Sequence, residues 1–158
     1  MDENRGFTLI ELMITIAVMA ILMSIAVPAL QAFVQNGRMA ARANEVMAGL
    51  AYARSEAVKR AADVTVCASS DGSTCSGTWT QGWVVLDQAG NVLRTQDAMG
   101  GSATLDGTGT LVFSANGRMT NPGALTVLTL CPGVADIAGR TIEIEPSGRA
   151  RVSTVACP

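Results

Sequence analysis

The C-terminal segment of the chain contains residues that can bind phosphate. Arg149 and Arg151 follow Gly148 closely in the sequence. A guanidinium can bind a phosphate through two N–H donors at once, and a neighbouring glycine lets the backbone approach closely. The alternative is that Arg151 forms only an exposed cross-strand pair with Glu145, worth roughly 0.2 to 1 kcal/mol. Charge alone favours this alternative, because two nearby arginines often occur by chance.

Two more arginines, Arg118 and Arg140, are candidates for the same cationic surface if folding brings them close to the last hairpin. Catalysis is not expected, because the chain has no histidine, which is the commonest general base and metal ligand. The sequence also contains no recognisable set of nucleophile, base and orienting partner, no phosphate-cradling loop and no metal-ligand spacing. We therefore expect a protein that is not an enzyme and that needs no metal or cofactor.

The N-terminal segment is an apolar run that contains one carboxylate. Residues 7–27 supply the roughly 20 apolar residues that a helix needs to cross a bilayer, and Glu11 lies near their start. An ionised glutamate in hydrocarbon is costly, so a functional role with a partner is the default interpretation. If the chain is cut between Gly6 and Phe7, the new α-amino group of one subunit could neutralise Glu11 of a neighbour. The alternative is an ordinary signal anchor with Glu11 at headgroup depth.

Composition and periodicity divide the chain into four predicted segments. They are a leader (1–6), a transmembrane helix (7–35), an amphipathic helical half (36–62) and a β-rich globular domain (63–158). Pro28 should kink or locally melt the helix. In the amphipathic half, one apolar stripe recurs at helical spacing: Met39, Val46, Leu50, Ala53 and Ala57. Glu56 falls on another face, together with Arg38, Arg42, Glu45 and Tyr52.

Strand patterns and turn signals follow the helix. The predicted strands are residues 64–68, 82–87, 92–95, 110–114, 125–131, 140–145 and 150–155, with turn signals at 71–72, 89–91, 116–117 and 121–123. The fold class is therefore α+β, with a long N-terminal helix packed on an antiparallel sheet. Residues 100–109 are the best candidate for a mobile loop. Trp79 and Trp83 could stack on a nucleic-acid base or a partner, but an aromatic residue in a strand is more often in the core, so we expect them there.

The last hairpin has a register that the polarity pattern should select. A three-residue loop, 147–149, pairs Pro146 with Ala150 and Ile144 with Val152 on the buried face. Glu145 would then pair with Arg151, and Glu143 with Ser153, on the exposed face. Arg149 would lie at the turn.

Four cysteines in an exported domain are expected to form two disulfides. Three pairings are possible. We favour Cys67 with Cys75, which closes a short loop, and Cys131 with Cys157, which would hold the C-terminus in place. From Asn36 onward the chain has 10 basic and 10 acidic residues, so any binding to a polyanion must come from local placement of arginines.

The start of the chain resembles the class III signal of type IV pilins and type II secretion pseudopilins, through Gly6-Phe7-Thr8-Leu9-Ile10-Glu11-Leu12. In those proteins a prepilin peptidase cuts after the glycine and methylates the new N-terminal phenylalanine. The resemblance covers nearly the whole chain and is closest to the GspH/FimT family of minor pilins and pseudopilins. The segments that extend it are 51–57, 66–67, 82–83 and 146–151. It implies the type IV pilin fold, with other pilin subunits bound through the N-terminal helix.

The resemblance also suggests a function for the C-terminal arginines. Gly148-Arg149-Ala150-Arg151 matches the Gly-Arg-x-Arg pattern of FimT-type minor pilins, in which this segment contributes to binding double-stranded DNA during natural transformation. A structural minor pilin or a GspH-like pseudopilin without DNA binding is the other hypothesis, because many functions share this scaffold. Either protein would span the inner membrane once, with a periplasmic C-terminal domain that is surface-exposed when it is part of a pilus.

Overall fold

The computed structural model describes residues 7–107, 109–120, 126–134 and 137–157. The predicted leader with Gly6, the predicted turn at 121–123 and the first residue of the predicted strand 125–131 lie outside the described residues. The elements are α1 (Leu9–Arg60), β1 (Val64–Ala68), a short 3₁₀ helix (Trp79–Gln81), β2 (Gly82–Asp87), β3 (Val92–Asp97), β4 (Thr104–Gly107), β5 (Leu111–Phe113), β6 (Thr126–Cys131), β7 (Gly139–Ile144) and β8 (Ala150–Val155).

The chain forms two compact units, Met1–Gln35 and Asn36–Pro158. Helix α1 begins after Thr8, whose hydroxyl accepts a hydrogen bond from the Glu11 amide and so caps the first turn. In the first unit, the large apolar side chains of α1 are exposed, and α1 is long and apolar enough to cross a membrane. The helical backbone continues through Pro28, so the predicted local melting is wrong.

The predicted apolar stripe of α1 is confirmed, because all five of its residues are at most 3% exposed. Ala43 and Gly49 are buried with them. Trp79 and Trp83 are also buried, as predicted. Glu56, which was predicted on another face than the stripe, is also buried.

Cationic partners at the end of α1 offset the cost of burying the Glu56 carboxylate. This carboxylate accepts hydrogen bonds from Nε of Arg60 at 2.7 Å and from Nζ of Lys59 at 3.4 Å. The hydrogen bond from Arg60 is the main cause of a lowered pKa for the Glu56 carboxyl. Arg60 also lies 3.6 Å from Asp87 of β2, so the group ties the end of the helix to the sheet.

The strands form two four-stranded antiparallel sheets, with orders β3-β2-β1-β5 and β4-β6-β7-β8. The strand patterns predicted one antiparallel sheet rather than two. The glycine-rich composition also placed β4 inside a mobile loop at 100–109. This was wrong for Thr104–Gly107, because these residues pair with β6 and bury Leu105. The glycines around β4 suggested a loop, but this strand is stabilised by pairing with β6 and not by the strand propensity of its own residues.

The predicted register of the last hairpin is also wrong. Ile144 pairs with Ala150, Glu143 with Arg151, and Ile142 with Val152. The prediction assumed that Val152 must be buried, but β8 is an edge strand and Val152 is 39% exposed. Because both faces of β8 are largely exposed, its polarity pattern cannot select a register.

Both favoured cysteine pairings are present. Cys67 is joined to Cys75, and Cys131 is joined to Cys157. The first closes the loop after β1. The second connects the end of β6 to the segment after β8, so it holds the C-terminal strand against its own sheet.

A pair of helix glycines tests how closely α1 packs on the β1–β2 sheet. A Cβ atom on Gly49 would lie 2.1 Å from Cη2 of Trp83, whereas one on Gly37 would meet nothing within 4 Å. Gly49→Ala should destabilise the domain by about 1 to 3 kcal/mol through overpacking. Gly37→Ala should stabilise it by about 0.5 to 1 kcal/mol, because alanine is the better helix former. Denaturant unfolding of the two variants measures both effects, and equal effects would contradict the described contact.

Candidate functional site

The turn between β7 and β8 presents the C-terminal arginines. It consists of Pro146, Ser147 and Gly148, and it is closed by two backbone hydrogen bonds of 2.8 Å, from the Gly148 amide to the Glu145 carbonyl and from the Glu145 amide to the Arg149 carbonyl. Gly148 has a φ of 78°, a left-handed conformation that glycine adopts without strain. Arg149 therefore leaves the turn with an exposed side chain and a fixed backbone.

A second turn follows β5 and presents Arg118. The Ser114 amide donates to the Arg118 carbonyl at 2.8 Å, and the Gly117 amide donates to the Ser114 carbonyl at 2.7 Å. The side chain of Asn116 accepts a hydrogen bond from the Arg118 amide at 3.1 Å. These bonds fix the backbone of Arg118, whose side chain is exposed.

The two turns pack directly against each other. The Met119 amide donates to the Pro146 carbonyl at 3.1 Å. A Cβ atom on Gly148 would lie 2.2 Å from the Gly117 carbonyl oxygen, so only glycine permits this approach. The contact joins the edge of one sheet to the last hairpin of the other, and it places Arg118 beside the turn that presents Arg149.

Helix α1 adds a third arginine, Arg54, which the sequence analysis did not select. If Gly117 and Gly148 carried side chains, their Cβ atoms would lie 3.2 Å and 3.3 Å from the Arg54 Nε. Arg54 therefore packs against both glycine turns. Arg54 also lines an open groove of about 670 Å³ between α1 and the hairpin turn, together with Arg149. The sequence places residue 54 beside the buried Ala53, at the margin of the apolar stripe. Nothing in the sequence indicates which turns pack against that margin.

The arginines in this region differ in their partners. Arg151 forms an ion pair of 3.2 Å with Glu145, in which the two side chains are 65% and 32% exposed. The residue opposite Arg151 is Glu143, so this contact is diagonal rather than the predicted direct pair. A pair this exposed stabilises the fold little, and a stronger anion can displace the carboxylate.

Most cationic side chains elsewhere are already bound. Lys59 and Arg60 pair with Glu56, Arg94 lies over the rings of Tyr52 and Trp83, and Arg42 donates to the Gly100 carbonyl. Among the described residues, the arginines whose guanidinium binds no carboxylate, ring or carbonyl are Arg38, Arg54, Arg118 and Arg149. Arg54, Arg118 and Arg149 lie at the two turns that pack against each other, residues 114–118 and 146–148, which we call the stacked turns. Positive charge without a carboxylate partner among the described residues is therefore concentrated there.

Arg140 does not join this cluster. It lies near the start of β7, opposite Thr154, whereas the turn follows the other end of the strand. Its Nη1 atom donates to the carbonyls of Ala138 and Gly139 at 3.2 and 3.0 Å. The proximity assumed for Arg140 is therefore not found.

Replacing Gly148 should show how far the site depends on the stacked turns. Gly148→Ala would force alanine into a positive φ and would push its Cβ against the Gly117 carbonyl oxygen. We expect the substitution to destabilise the domain by about 2 to 4 kcal/mol. Gly90 is a matched control, because it has a φ of 85° and open space around its Cβ position. Gly90→Ala should cost only about 1 kcal/mol. Equal losses of unfolding free energy would contradict the close approach.

Comparisons with known proteins agree with this architecture. The family model described as type II transport protein GspH matches residues 42–148, and the prokaryotic N-terminal methylation motif matches residues 1–27. The chain is 31% identical over 129 residues to fimbrial protein Q of Moraxella bovis, covering 82% of this chain and 80% of that protein. It is also 45% identical over 49 residues to the type IV major alpha-pilin of Moraxella bovis, covering 31% of each.

The fold is similar to a solved minor pilin. The crystal structure of the type IV minor pilin FimU of Pseudomonas aeruginosa superposes with a TM-score of 0.62 at 26% identity, covering 77% of this chain and 92% of that one. A second crystal form gives a TM-score of 0.57 at 27% identity, covering 70% and 89%.

This family consists of structural pilins, which is consistent with a role other than catalysis. The motif implies processing by prepilin peptidase and association with other pilin subunits, and it fits a membrane-anchored protein with one apolar N-terminal helix. The chain therefore belongs to the GspH/FimT family and is a minor type IV pilin or pseudopilin with the type IV pilin fold.

Proposed function

We propose that this minor pilin binds double-stranded DNA through the turn between β7 and β8, during DNA uptake by natural transformation. The observation that carries the proposal is Arg149, which is exposed, has no ion-pair partner among the described residues and lies at a turn whose backbone is fixed by glycine packing. Arg151 follows on β8, and Gly148 keeps the turn free of side-chain bulk. Arg118 extends the cationic surface from the adjacent turn.

The chemistry of this surface favours the phosphate backbone over the bases. Guanidinium groups bind phosphate oxygens with paired donors, and such contacts position a protein on DNA without reading its sequence. Arg151 must exchange Glu145 for phosphate, which costs little because the pair is largely exposed. With two to four phosphate contacts, affinity should be modest, and the slope of log affinity against log salt should be about −2 to −4.

We propose that α1 anchors the protein that carries this DNA-binding surface. Cleavage after Gly6 would make Phe7 the methylated N-terminal residue, and its amino group would neutralise Glu11 of a neighbouring subunit. Before assembly the chain would span the inner membrane once with its globular domain in the periplasm. Incorporation in a pilus would then expose this domain at the cell surface.

A second candidate function is a structural role in pilus or pseudopilus assembly without DNA binding. The observation that favours it is the similarity of the fold to the minor pilin FimU. This role would need α1 and Glu11 but not Arg149 or Arg151. The two functions can therefore be separated by substitutions in different parts of the chain.

Removing the two C-terminal arginines should weaken DNA binding strongly. We expect Arg149→Gln/Arg151→Gln, in the full chain in non-ionic detergent, to lower duplex affinity by about 100-fold or more at low salt, since each of the two charge-assisted contacts is worth about 1.5 kcal/mol or more. Arg38→Gln/Arg140→Gln is the matched control, because it removes the same charge away from the turn. Affinity is measured by fluorescence anisotropy, with thermal unfolding as a check on folding. Equal losses in both variants would show a general charge effect instead.

Neutralising Glu11 should block assembly while leaving membrane insertion intact. Glu11→Gln keeps the size of the side chain but cannot form the ion pair proposed with the amino group of a neighbouring subunit. We expect the variant in the membrane fraction but at least tenfold depleted from sheared pili. Glu45→Gln, on an exposed face of the same helix, should assemble normally. Normal assembly of the Glu11 variant would contradict the proposed pairing.

A further inference from the structure

The groove between α1 and the hairpin turn contains a cation that the proposed turn site does not use. Arg54 lines the groove with Arg149 and Lys59, and none of the described residues that line it is acidic. We propose that this groove is a second phosphate-binding subsite for the backbone of one DNA strand, with Arg54 as its ligand. The inference rests on the proposed function and extends the DNA surface from the hairpin onto the helix.

The position of Arg54 supports a binding role. Its side chain runs past Gly117 and Gly148, with Nε at 3.2 and 3.3 Å from their Cβ positions. This packing limits the rotamers of a long side chain, so less conformational entropy is lost when its guanidinium binds an anion. The same two glycines fix the backbones that present Arg118 and Arg149, so the three cations share one rigid frame.

The charges around Arg54 support it as well. One turn or more further along α1, Lys59 and Arg60 are neutralised by Glu56. In the described part of the chain, no carboxylate lies within ion-pair distance of Arg54. An incoming phosphate therefore has no internal anion to displace at this position. Arg151, by contrast, must first leave Glu145.

The groove has an apolar floor that includes Leu50, Ala51 and Val58. Apolar walls lower the local dielectric and strengthen the attraction between guanidinium and phosphate. The floor can also contact the apolar faces of deoxyribose. Because Arg149 belongs to both the groove and the turn, a strand bound at the turn continues into the groove without a gap in positive charge.

The test compares salt dependence across arginine variants of the full chain in non-ionic detergent, with a 30-base-pair duplex as the probe. Arg54→Gln should lower affinity by about tenfold at low salt and make the salt slope shallower by about one, as expected for one lost phosphate contact. Arg54→Lys keeps the charge and should retain the slope. Arg38→Gln should change neither quantity, because Arg38 also lies on α1 without a partner among the described residues but does not line the groove.

The outcomes separate the inference from the proposed function. An unchanged slope in Arg54→Gln, beside a reduced slope in Arg149→Gln/Arg151→Gln, would overturn the subsite and leave the turn site standing. No duplex binding by the unmodified chain would overturn both. Poly-glutamate serves as a second probe. If Arg54→Gln loses poly-glutamate binding but keeps duplex binding, the groove accepts acidic protein segments and the phosphate assignment is wrong.

Discussion

The buried stripe of α1 is the constraint on which the globular domain depends. Its residues include Ala43, Gly49, Ala53 and Ala57, which are small enough for a sheet to approach the helix backbone closely. Trp83 fills the space that a side chain on Gly49 would occupy. This close packing sets which residues flank the stripe. Arg54 therefore faces the two glycine turns rather than solvent alone.

Charge in the domain is balanced overall but not locally. Glu56 pairs with Lys59 and Arg60 within the last turns of α1, and Arg60 also pairs with Asp87 of β2, which links the end of the helix to the sheet. The stacked turns instead collect Arg54, Arg118 and Arg149 without carboxylate partners among the described residues. A domain with no net positive charge can bind a polyanion only in this way, through a local excess held in place by backbone hydrogen bonds. Its affinity would then be limited by the number of such arginines.

Local chemistry was sufficient to predict much of the fold. The apolar stripe of α1 and the burial of Trp79 and Trp83 followed from period and residue type. The disulfide pairing that closes a short loop, Cys67 with Cys75, is also present. Strand β4 was missed because glycines surround it and its stability comes from pairing with β6. The hairpin register was missed because β8 is an edge strand, exposed on both faces.

The sequence also predicted only part of the candidate site. By itself the sequence determined that Arg149 and Arg151 follow a glycine in a turn, and that Glu11 lies in an apolar helix, because these are relations between near neighbours in the chain. Only the tertiary structure decided that Arg118 and Arg54 join Arg149 while Arg140 lies at the other end of β7. Those placements depend on two turns and a helix, distant in sequence, that meet through the absence of side chains at Gly117 and Gly148. Periodicity reports which face of an element is buried, but not which element covers it.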